Sequence, residues 1–244
     1  MINNPTLKDI AQKLGLSIST VSRALQNHPD INKNTIAQIR KLAKEIGYFP
    51  DELAKSLKKK KTHTIGVIVP EISHFFFSSV IDGIEEITYK DGYTILVTKS
   101  NENLEREILN MESLISNRVA GVIASISQST VDGSHFNRVI ARGTPLVLFD
   151  RVLEDLEVSK VISNDFENVY ETVNHLIESG FRHIAHLAGP PHLNITKNRL
   201  EGYKKALTDN GLEVMDEMII HVDLNEKGGS EGAKSLLKYL QRID

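Results

Sequence analysis

Residues 6–25 read TLKDIAQKLGLSISTVSRAL, and this stretch decides the fold of the amino-terminal part of the chain. Thr6 and Asp9 have the spacing of a capping box at the start of a helix. The helix that follows has one apolar face, made by Leu7, Ile10, Ala11 and Leu14. Gly15 ends this helix and Ser17 caps a second one. So short a connection predicts a helix-turn-helix rather than a hairpin of two long helices.

The second helix has an unusual outer face. It turns Val21, Ala24 and Leu25 inward, and its outward residues are Ile18, Ser19, Ser22 and Arg23. Small outward side chains allow a helix to approach base edges closely. A third helix, capped by Asn32 or Asn34 and ended by Gly47, completes the head. A generic three-helix bundle is the alternative reading of the same pattern.

The charge is distributed unevenly along the 244 residues. Residues 1–61 hold 12 Lys+Arg and 5 Asp+Glu, whereas residues 62–244 hold the other 17 and 27. A basic module joined to an acidic body is typical of a protein whose head meets a polyanion. Residues 58–61 are four lysines, which are either a solvated linker or an aid to phosphate binding.

Composition excludes several classes of protein. The chain has no cysteine, so a disulfide framework, a thiolate zinc site and a cysteine nucleophile are ruled out. Its first residues lack the apolar stretch of a signal peptide. The apolar runs at 65–69 and 146–149 are strand-sized and too short to span a bilayer. This composition suits a reducing cytosol, and no membrane partner is expected.

From residue 64 onward, short apolar runs alternate with helical patterns. Strands are predicted at 65–69, 93–97, 121–124, 146–149, 161–162, 183–187 and 218–222. Helices are predicted at 77–90, 104–116, 135–142, 166–179, 199–210 and 230–240. This alternation indicates parallel sheet covered by helices on both faces. Seven strands fit either one sheet or two smaller lobes.

Catalytic chemistry finds little support in this body. The loop at 70–74 lacks the glycine patterns that bind dinucleotides or triphosphates. Residues 228–232 satisfy G-x-S-x-G, but 223–227 separate them from the preceding strand, so a helix N-terminus is favoured over a nucleophile elbow. His183 and His186, three apart on a predicted strand, point to opposite faces. No enzyme activity, catalytic residue, metal ligand or cofactor is expected.

Ligand binding is a better interpretation of the parallel sheet. Small molecules bind beyond the carboxyl ends of such strands. The loops there hold residues 73–76, Asp150 with Arg151, and residues 189–194. Carboxylates, arginine and aromatic rings suit a polyol or sugar-like ligand. Core packing of at least two of the rings of Phe75, Phe76 and Phe77 is the alternative for that segment.

Several of these segments together resemble one family of regulators. The head segments are TLKDIA (6–11), GLS (15–17), STVSRAL (19–25) and GYFP (47–50). They closely resemble the head of the lac repressor (LacI/GalR) family, without a gap from about Thr6 to Leu57. The body continues the resemblance in IGVIVP (65–70), GIE (83–85), RVAGVI (118–123), HIAHLAGP (183–190) and RLEGY (199–203).

The resemblance implies roles in binding double-stranded DNA. Helix-turn-helix residues would contact phosphates and base edges in the major groove of a near-palindromic operator: Leu7, Ser17, Ile18, Ser19, Thr20, Ser22, Arg23 and Tyr48. Hinge-helix residues would enter the minor groove of a homodimer's site: Ala54, Lys55 and Leu57, with Leu57 as the apolar wedge. Asp51 replaces the family's usual Asn, which keeps a helix cap and weakens a minor-groove role.

The resemblance also implies an effector pocket, with contacts from Ser73, Phe76, Asp150 and Arg199. The family often has Asn-Pro-Phe-Phe where this chain has HFFF at 74–77, so this loop departs from the pattern. Family members continue well beyond Asp244, and we therefore expect a carboxy-terminally truncated chain with an incomplete pocket and dimer interface.

The expected fold is an all-α helix-turn-helix head with a hinge helix, joined to an α/β core that is periplasmic-binding-protein-like, has parallel sheets and has an incomplete second lobe. The expected domains are the head at 1–49, the hinge helix and basic linker at 50–61, a first lobe at 62–158 and a partial second lobe at 159–244. The expected function is transcriptional repression controlled by a small sugar-like effector. The alternative is a sugar-binding protein with a non-functional DNA head.

Overall fold

The structure, a computed structural model, describes residues 5–48 and 62–239. It divides the chain into two compact units, Met1–Lys59 and Lys60–Asp244, which we call the head and the core. The predicted hinge residues Ala54, Lys55 and Leu57, the substituted Asp51 and the lysines at 58–61 lie outside the described residues.

The head contains three helices, α1 (Leu7–Leu14), α2 (Ile18–Leu25) and α3 (Lys33–Glu45). Their apolar faces meet in one small cluster of buried side chains: Ile10, Ala11, Val21, Ala24, Ile39 and Ala43. The helical periodicity in the sequence therefore predicted the packed face of each helix correctly.

Local side-chain chemistry starts and stops these helices. Thr6 and Asp9 form the capping box at α1, with Thr6 N donating to Asp9 Oδ2 at 2.7 Å. Gly15 ends α1 with a φ of 64°, in the left-handed region that glycine adopts at little cost. Of the two candidate caps for α3, Asn32 is the one used, and its Oδ1 accepts from Asn34 N at 2.8 Å.

The first sheet of the core has five parallel strands in the order β2-β1-β3-β4-β5. The strands are β1 (Thr64–Val69), β2 (Thr94–Lys99), β3 (Gly121–Ala124), β4 (Leu146–Phe149) and β5 (Ser159–Val161). The register of β1 with β2 runs from Thr64 opposite Thr94 to Val69 opposite Lys99. Three helices connect the first four strands: α4 (Phe75–Lys90), α5 (Leu104–Ser116) and α6 (Ser134–Ala141).

A second, smaller sheet pairs β6 (His186–Ala188) with β7 (Ile219–His221), also in parallel. Its helices are α7 (Asp165–Glu178), α8 (Asn194–Asp209) and α9 (Glu226–Leu236), and short 3-10 turns span Asp216–Met218 and Leu237–Tyr239. Of the two arrangements that seven strands allowed, the core adopts the one with two lobes. β5, which we had assigned to the second lobe, is hydrogen-bonded to β4 in the first sheet.

Three elements begin three or more residues away from their predicted starts, and the other starts agree within two residues. α8 begins at Asn194 rather than at 199, because polar residues that read as a loop are buried there. β6 begins at His186 rather than at 183. α9 begins at Glu226 rather than at 230, because Asn225 caps it, with Gly228 N donating to Asn225 Oδ1 at 2.7 Å.

Each lobe has its own apolar core. The first lobe packs Met111, Leu114, Phe136 and Leu148 between sheet and helices, and Phe77 and Phe149 lie among the buried residues of its other face. The second lobe packs α7 against α8 through Val173, Ile177, Tyr203, Ala206 and Leu207. Within the described residues, no helix is long and apolar enough to cross a membrane.

Candidate DNA-binding surface and effector site

The outer face of α2 is exposed and carries no acidic side chain. Ile18 is 50% exposed, whereas Val21 and Ala24 on the inner face are 0% exposed. Arg23 is exposed, and its Nε donates to Ser19 O at 3.4 Å, so the guanidinium lies along the outer surface of the helix. This face presents small polar groups, one aliphatic side chain and one cation.

Hydroxyl groups cluster at the start of α2. Ser17 Oγ accepts from Thr20 N at 3.1 Å and caps the helix. The same oxygen lies 2.8 Å from Ser19 Oγ and 2.8 Å from Thr20 Oγ1. Donors at a helix N-terminus, where the helix dipole is positive, suit a phosphate oxygen. The structure thus brings three of the predicted DNA-contacting residues together at one exposed end.

Other predicted head residues lie deeper. Leu7 and Tyr48 are partly buried and pack against the apolar cluster of the head. Thr20 and Ser22 are of intermediate exposure. Contact between these residues and DNA stays a prediction.

In the core, Asp150 and Arg199 approach one another across the two lobes. Asp150 directly follows β4, and its side chain is 11% exposed. Burial raises the pKa of the Asp150 carboxyl above its ordinary 3.8, while the positive charges of Arg151 and Arg199 oppose that rise. Arg199 Nε donates to Asp165 Oδ1 at 2.7 Å, and the Asp165 side chain is only 7% exposed. Two largely buried carboxylates and the guanidinium groups of Arg151 and Arg199 therefore share this site.

The backbone at Asp150 is in the left-handed region, with a φ of 58°. Asp150 N donates to Val161 O at 3.0 Å, and its carbonyl accepts from Asn194 Nδ2 at 3.0 Å. The buried Ser125 hydroxyl faces the Asp150 carboxylate and acts to lower its pKa, against the effect of burial. Backbone strain of this kind is typical of functional sites.

Histidine and tyrosine rings line the second lobe beside Arg199. The rings of His186 and Tyr203 stack with centroids 5.0 Å apart. Burial lowers the pKa of His186, and the charge of Arg199 acts in the same direction. Burial also raises the pKa of the Tyr203 phenol to about 12, and its hydroxyl donates to Ile184 O at 2.7 Å. Both rings are therefore neutral near pH 7.

Ser73 and Phe76 make their contacts elsewhere, at the start of α4. Ser73 Oγ donates to Glu71 Oε1 at 3.1 Å. The Phe76 ring is half-exposed and packs edge-on against Phe77. Phe77 is buried, whereas Phe75 is 86% exposed, so one ring of the three enters the core rather than two. The effector roles of Ser73 and Phe76 stay predictions.

The motifs tested for catalysis have structural explanations. Ser230 of the G-x-S-x-G match lies inside α9 rather than at a strand-to-helix turn. The predicted helix N-terminus at 230 is wrong by four residues, because the helix begins at Glu226. His183 precedes β6 rather than lying on it, so our argument from opposite strand faces does not apply. No cluster of three His, Asp or Glu side chains suited to a metal ion occurs among residues 5–48 and 62–239.

Sequence reasoning missed Asp165, and it placed Asn194 only in the candidate ligand loop at 189–194. Asp165 opens α7 directly after the loop that follows β5, at the carboxyl edge where ligands bind. That position could have revealed it. The partners of Asn194 lie more than 40 residues earlier, so no local signal points to its role.

Two family models match the chain. Residues 6–51 match the model described as bacterial regulatory proteins, lacI family. Residues 62–240 match the model described as periplasmic binding proteins and sugar binding domain of LacI family. Together they account for both the helical head and the two-lobed core.

Individual relatives agree with these matches. The HTH-type transcriptional repressor CytR of Escherichia coli strain K12 is 31% identical over 232 residues, which are 95% of this chain and 67% of that protein. A transcriptional regulator CelR–cellobiose complex superimposes with a TM-score of 0.67 at 25% identity, covering 99% of this chain and 72% of that one.

The fold is also that of a lac repressor dimer bound to operator and the anti-inducer ONPF, with a TM-score of 0.80 at 24% identity over 97% of this chain and 71% of that one. The confirmed features are the helix-turn-helix head and the α/β core with parallel sheets. The matching family comprises transcriptional regulators. The chain therefore belongs to the LacI family of bacterial regulatory proteins.

Proposed function

We propose that this chain is a sequence-specific transcriptional repressor whose operator affinity changes when a sugar-like effector binds its core. The outer face of α2 carries the proposal, because it combines an exposed Ile18, a hydroxyl cluster and Arg23 with no acidic side chain. An apolar side chain suits a thymine methyl group, and Arg suits a guanine edge.

We propose that the chain binds DNA as a homodimer, by comparison with the lac repressor. A helix-turn-helix reads one half-site, and two copies read a near-palindromic operator. The lac repressor structure is a dimer on its operator, and we extend that arrangement to this chain as a proposal. We likewise propose the bacterial cytoplasm, at the nucleoid, as its location, and binding rather than catalysis as its activity.

The operator proposal has a direct test. Duplexes selected from random DNA by the full chain are compared with scrambled duplexes by fluorescence anisotropy over a salt titration. We expect at least about a 1,000-fold preference for the selected duplex. Equal affinities would refute the repressor function. Leu57→Ala tests the wedge: specific binding should weaken more than non-specific binding.

The effector proposal rests on Asp150, Arg199 and Asp165. Carboxylates accept paired hydrogen bonds from sugar hydroxyls, and guanidinium donates them. The core matches a sugar-binding family model, and the structural relative CelR holds cellobiose. These observations support a neutral sugar as the ligand class.

The test of the effector site uses thermal shift with cellobiose and a panel of neutral sugars. We expect Asp150→Asn to abolish any shift while operator binding without sugar persists. Asp155→Asn, an exposed substitution in the loop after β4, is the matched control. A sugar-induced shift without operator discrimination would favour the alternative, a sugar-binding protein with a non-functional head.

A further inference from the structure

Two side-chain amides bridge the lobes of the core. Asn194 opens α8 of the second lobe and is 4% exposed. Its Nδ2 donates to Asp150 O at 3.0 Å, and its Oδ1 accepts from Val152 N at 2.9 Å. Gln128, in the loop after β3 of the first lobe, accepts from Leu224 N at 2.8 Å, and Leu224 lies between β7 and α9. Each amide thus binds backbone of the other lobe.

One carboxylate joins the two bridges on the first-lobe side. Glu102 Oε2 accepts from Gln128 N at 2.7 Å. Both oxygens of the same carboxylate accept from Arg151 Nη1, at 2.8 and 2.9 Å. Arg151 lies between Asp150 and Val152, the two residues that Asn194 holds. A continuous chain of hydrogen bonds therefore runs from one bridge to the other.

Apolar packing surrounds the Asn194 bridge and borders the Gln128 bridge. Leu193 and Ile195, which flank Asn194, are 1% and 4% exposed and belong to the apolar core of the first lobe. Leu224 packs against the same core. Hydrogen bonds in such an environment are electrostatically stronger than in water, and a broken one leaves a buried polar group unsatisfied.

The bridge at Asn194 is linked to both charged groups of the effector site. It holds the carbonyl of Asp150, and it lies on the same helix as Arg199, five residues earlier, a rise of about 7.5 Å. We infer that Asn194 and Gln128 form an inter-lobe clasp that fixes the spacing between Asp150 and Arg199, with Asn194 as a positioning residue. The effect of the clasp on effector binding rests on the proposed function, whereas the geometry of the clasp does not.

Double electron–electron resonance on the full chain tests the clasp without DNA or ligand. The chain has no cysteine, so Glu85→Cys on α4 and Lys204→Cys on α8, both exposed, accept two spin labels selectively. Dilution with unlabelled protein restricts the signal to distances within one chain. We expect one narrow distance, and Asn194→Ala broadens that distribution about twofold.

Two controls separate positioning from general loosening. Asn168→Ala removes an exposed amide from α7, and Val173→Ala removes buried contacts from the second lobe without touching the clasp. Neither control should broaden the distance distribution. The double variant, with Asn194→Ala and Gln128→Ala, should give a broader distribution than either single variant. Circular dichroism verifies that each variant is folded.

An unchanged distribution in Asn194→Ala would overturn the inference, as would equal broadening by Val173→Ala. If Asn194→Ala fails to fold, Asn194→Asp takes its place: it keeps the acceptor for Val152 N and loses the donor to Asp150 O. The expected broadening and the refuting result are the same for that variant. Failure of operator selection would refute the proposed function and leave these distances unaffected.

Discussion

The head and the core present their functional groups in opposite ways. In the head, Ile18 and Arg23 are exposed on a helix whose other face is fully buried. In the core, Asp150 and Asp165 are largely buried and surrounded by other charges. A surface that binds a polyanion needs exposed side chains on a helix that packs well on its other face. A site for a small molecule needs charged groups that are buried and held in a fixed position.

Burial of charge in the core extends beyond the effector site. Glu107 on α5 is 0% exposed; its Oε1 accepts from Thr130 Oγ1 and lies 2.9 Å from His135 Nε2, and its Oε2 accepts from Ser127 N at 2.6 Å. These contacts hold the loop that contains Gln128. Buried carboxyl groups thus fix loops in the core, whereas the fully buried cluster of the head is aliphatic.

The largest expected effect concerns the interior of the head. Ile39→Ala removes a fully buried side chain and costs about 2–5 kcal/mol, which is comparable to the whole stability of so small a unit. We expect the head to unfold, operator affinity to fall more than about 100-fold and the core to stay folded. Two-dimensional NMR and anisotropy measure these outcomes.

Ile18→Ala is the matched control for that experiment, because it makes the same change at a half-exposed position. The head should stay folded in this variant. If Ile39→Ala also changed the NMR signals of the core, the expectation that the core stays folded when the head unfolds would be wrong.

The next effect tests the interior of the core. Glu107→Gln leaves an amide among donors that need an acceptor and should lower the free energy of unfolding by about 3 kcal/mol in urea at pH 7. Glu105→Gln, two residues earlier and exposed, should cost about 0.5 kcal/mol or less. Equal losses in the two variants would remove the distinction drawn between buried and exposed charge.

A smaller effect sharpens the account of the head surface. Arg23→Ala should lower affinity for the selected operator by about 1–3 kcal/mol and change affinity for scrambled DNA far less. Arg138→Ala, an exposed arginine of the core, should change neither affinity. Fluorescence anisotropy with both duplexes measures these affinities. Equal losses of affinity for the two duplexes would show that Arg23 contacts phosphate rather than a base.

The smallest effect is a pH dependence at the rim of the first sheet. Burial disfavours the Glu71 carboxylate, but hydrogen bonds from Ile72 N, Ser73 N and Lys99 outweigh burial and lower the pKa of Glu71 from 4.5 to about 2. Its contribution to stability is therefore fully present above pH 4.5 and is lost as the pH falls towards 2.

The urea midpoint of unfolding should rise with pH across that window, and Glu71→Gln should reduce the slope of this rise. Glu85→Gln, an exposed glutamate on α4, should leave the slope unchanged. An unaltered slope in Glu71→Gln would show that this carboxylate titrates normally in the folded core.

Local signals in the sequence predicted most of the head. Thr6, Gly15 and Ser17 begin or end helices as expected, because caps act within a few residues. The strands at 121–124 and 146–149 were also predicted correctly, since they are short apolar runs bounded by loops. Pattern and capping suffice wherever the partners of a residue are its neighbours in sequence.

Long-range partners explain what the sequence missed. Asn194 was predicted to lie in a loop because it is polar, yet it is buried at the start of α8, where it binds backbone groups of the other lobe. Asp165 was missed because its partner Arg199 lies 34 residues later. The sequence left open whether at least two of the rings of Phe75, Phe76 and Phe77 pack in the core, and only the structure shows that Phe77 alone of the three is buried.

The left-handed backbone of Asp150 has a consequence for how this regulator can change over generations. A non-glycine residue in that conformation carries a cost of order 1 kcal/mol, which a glycine would not carry. Replacement by glycine would therefore relax the main chain at the very position where it deletes the carboxylate. Under the effector role that we propose for Asp150, such a replacement would remove the effector contact without adding backbone strain.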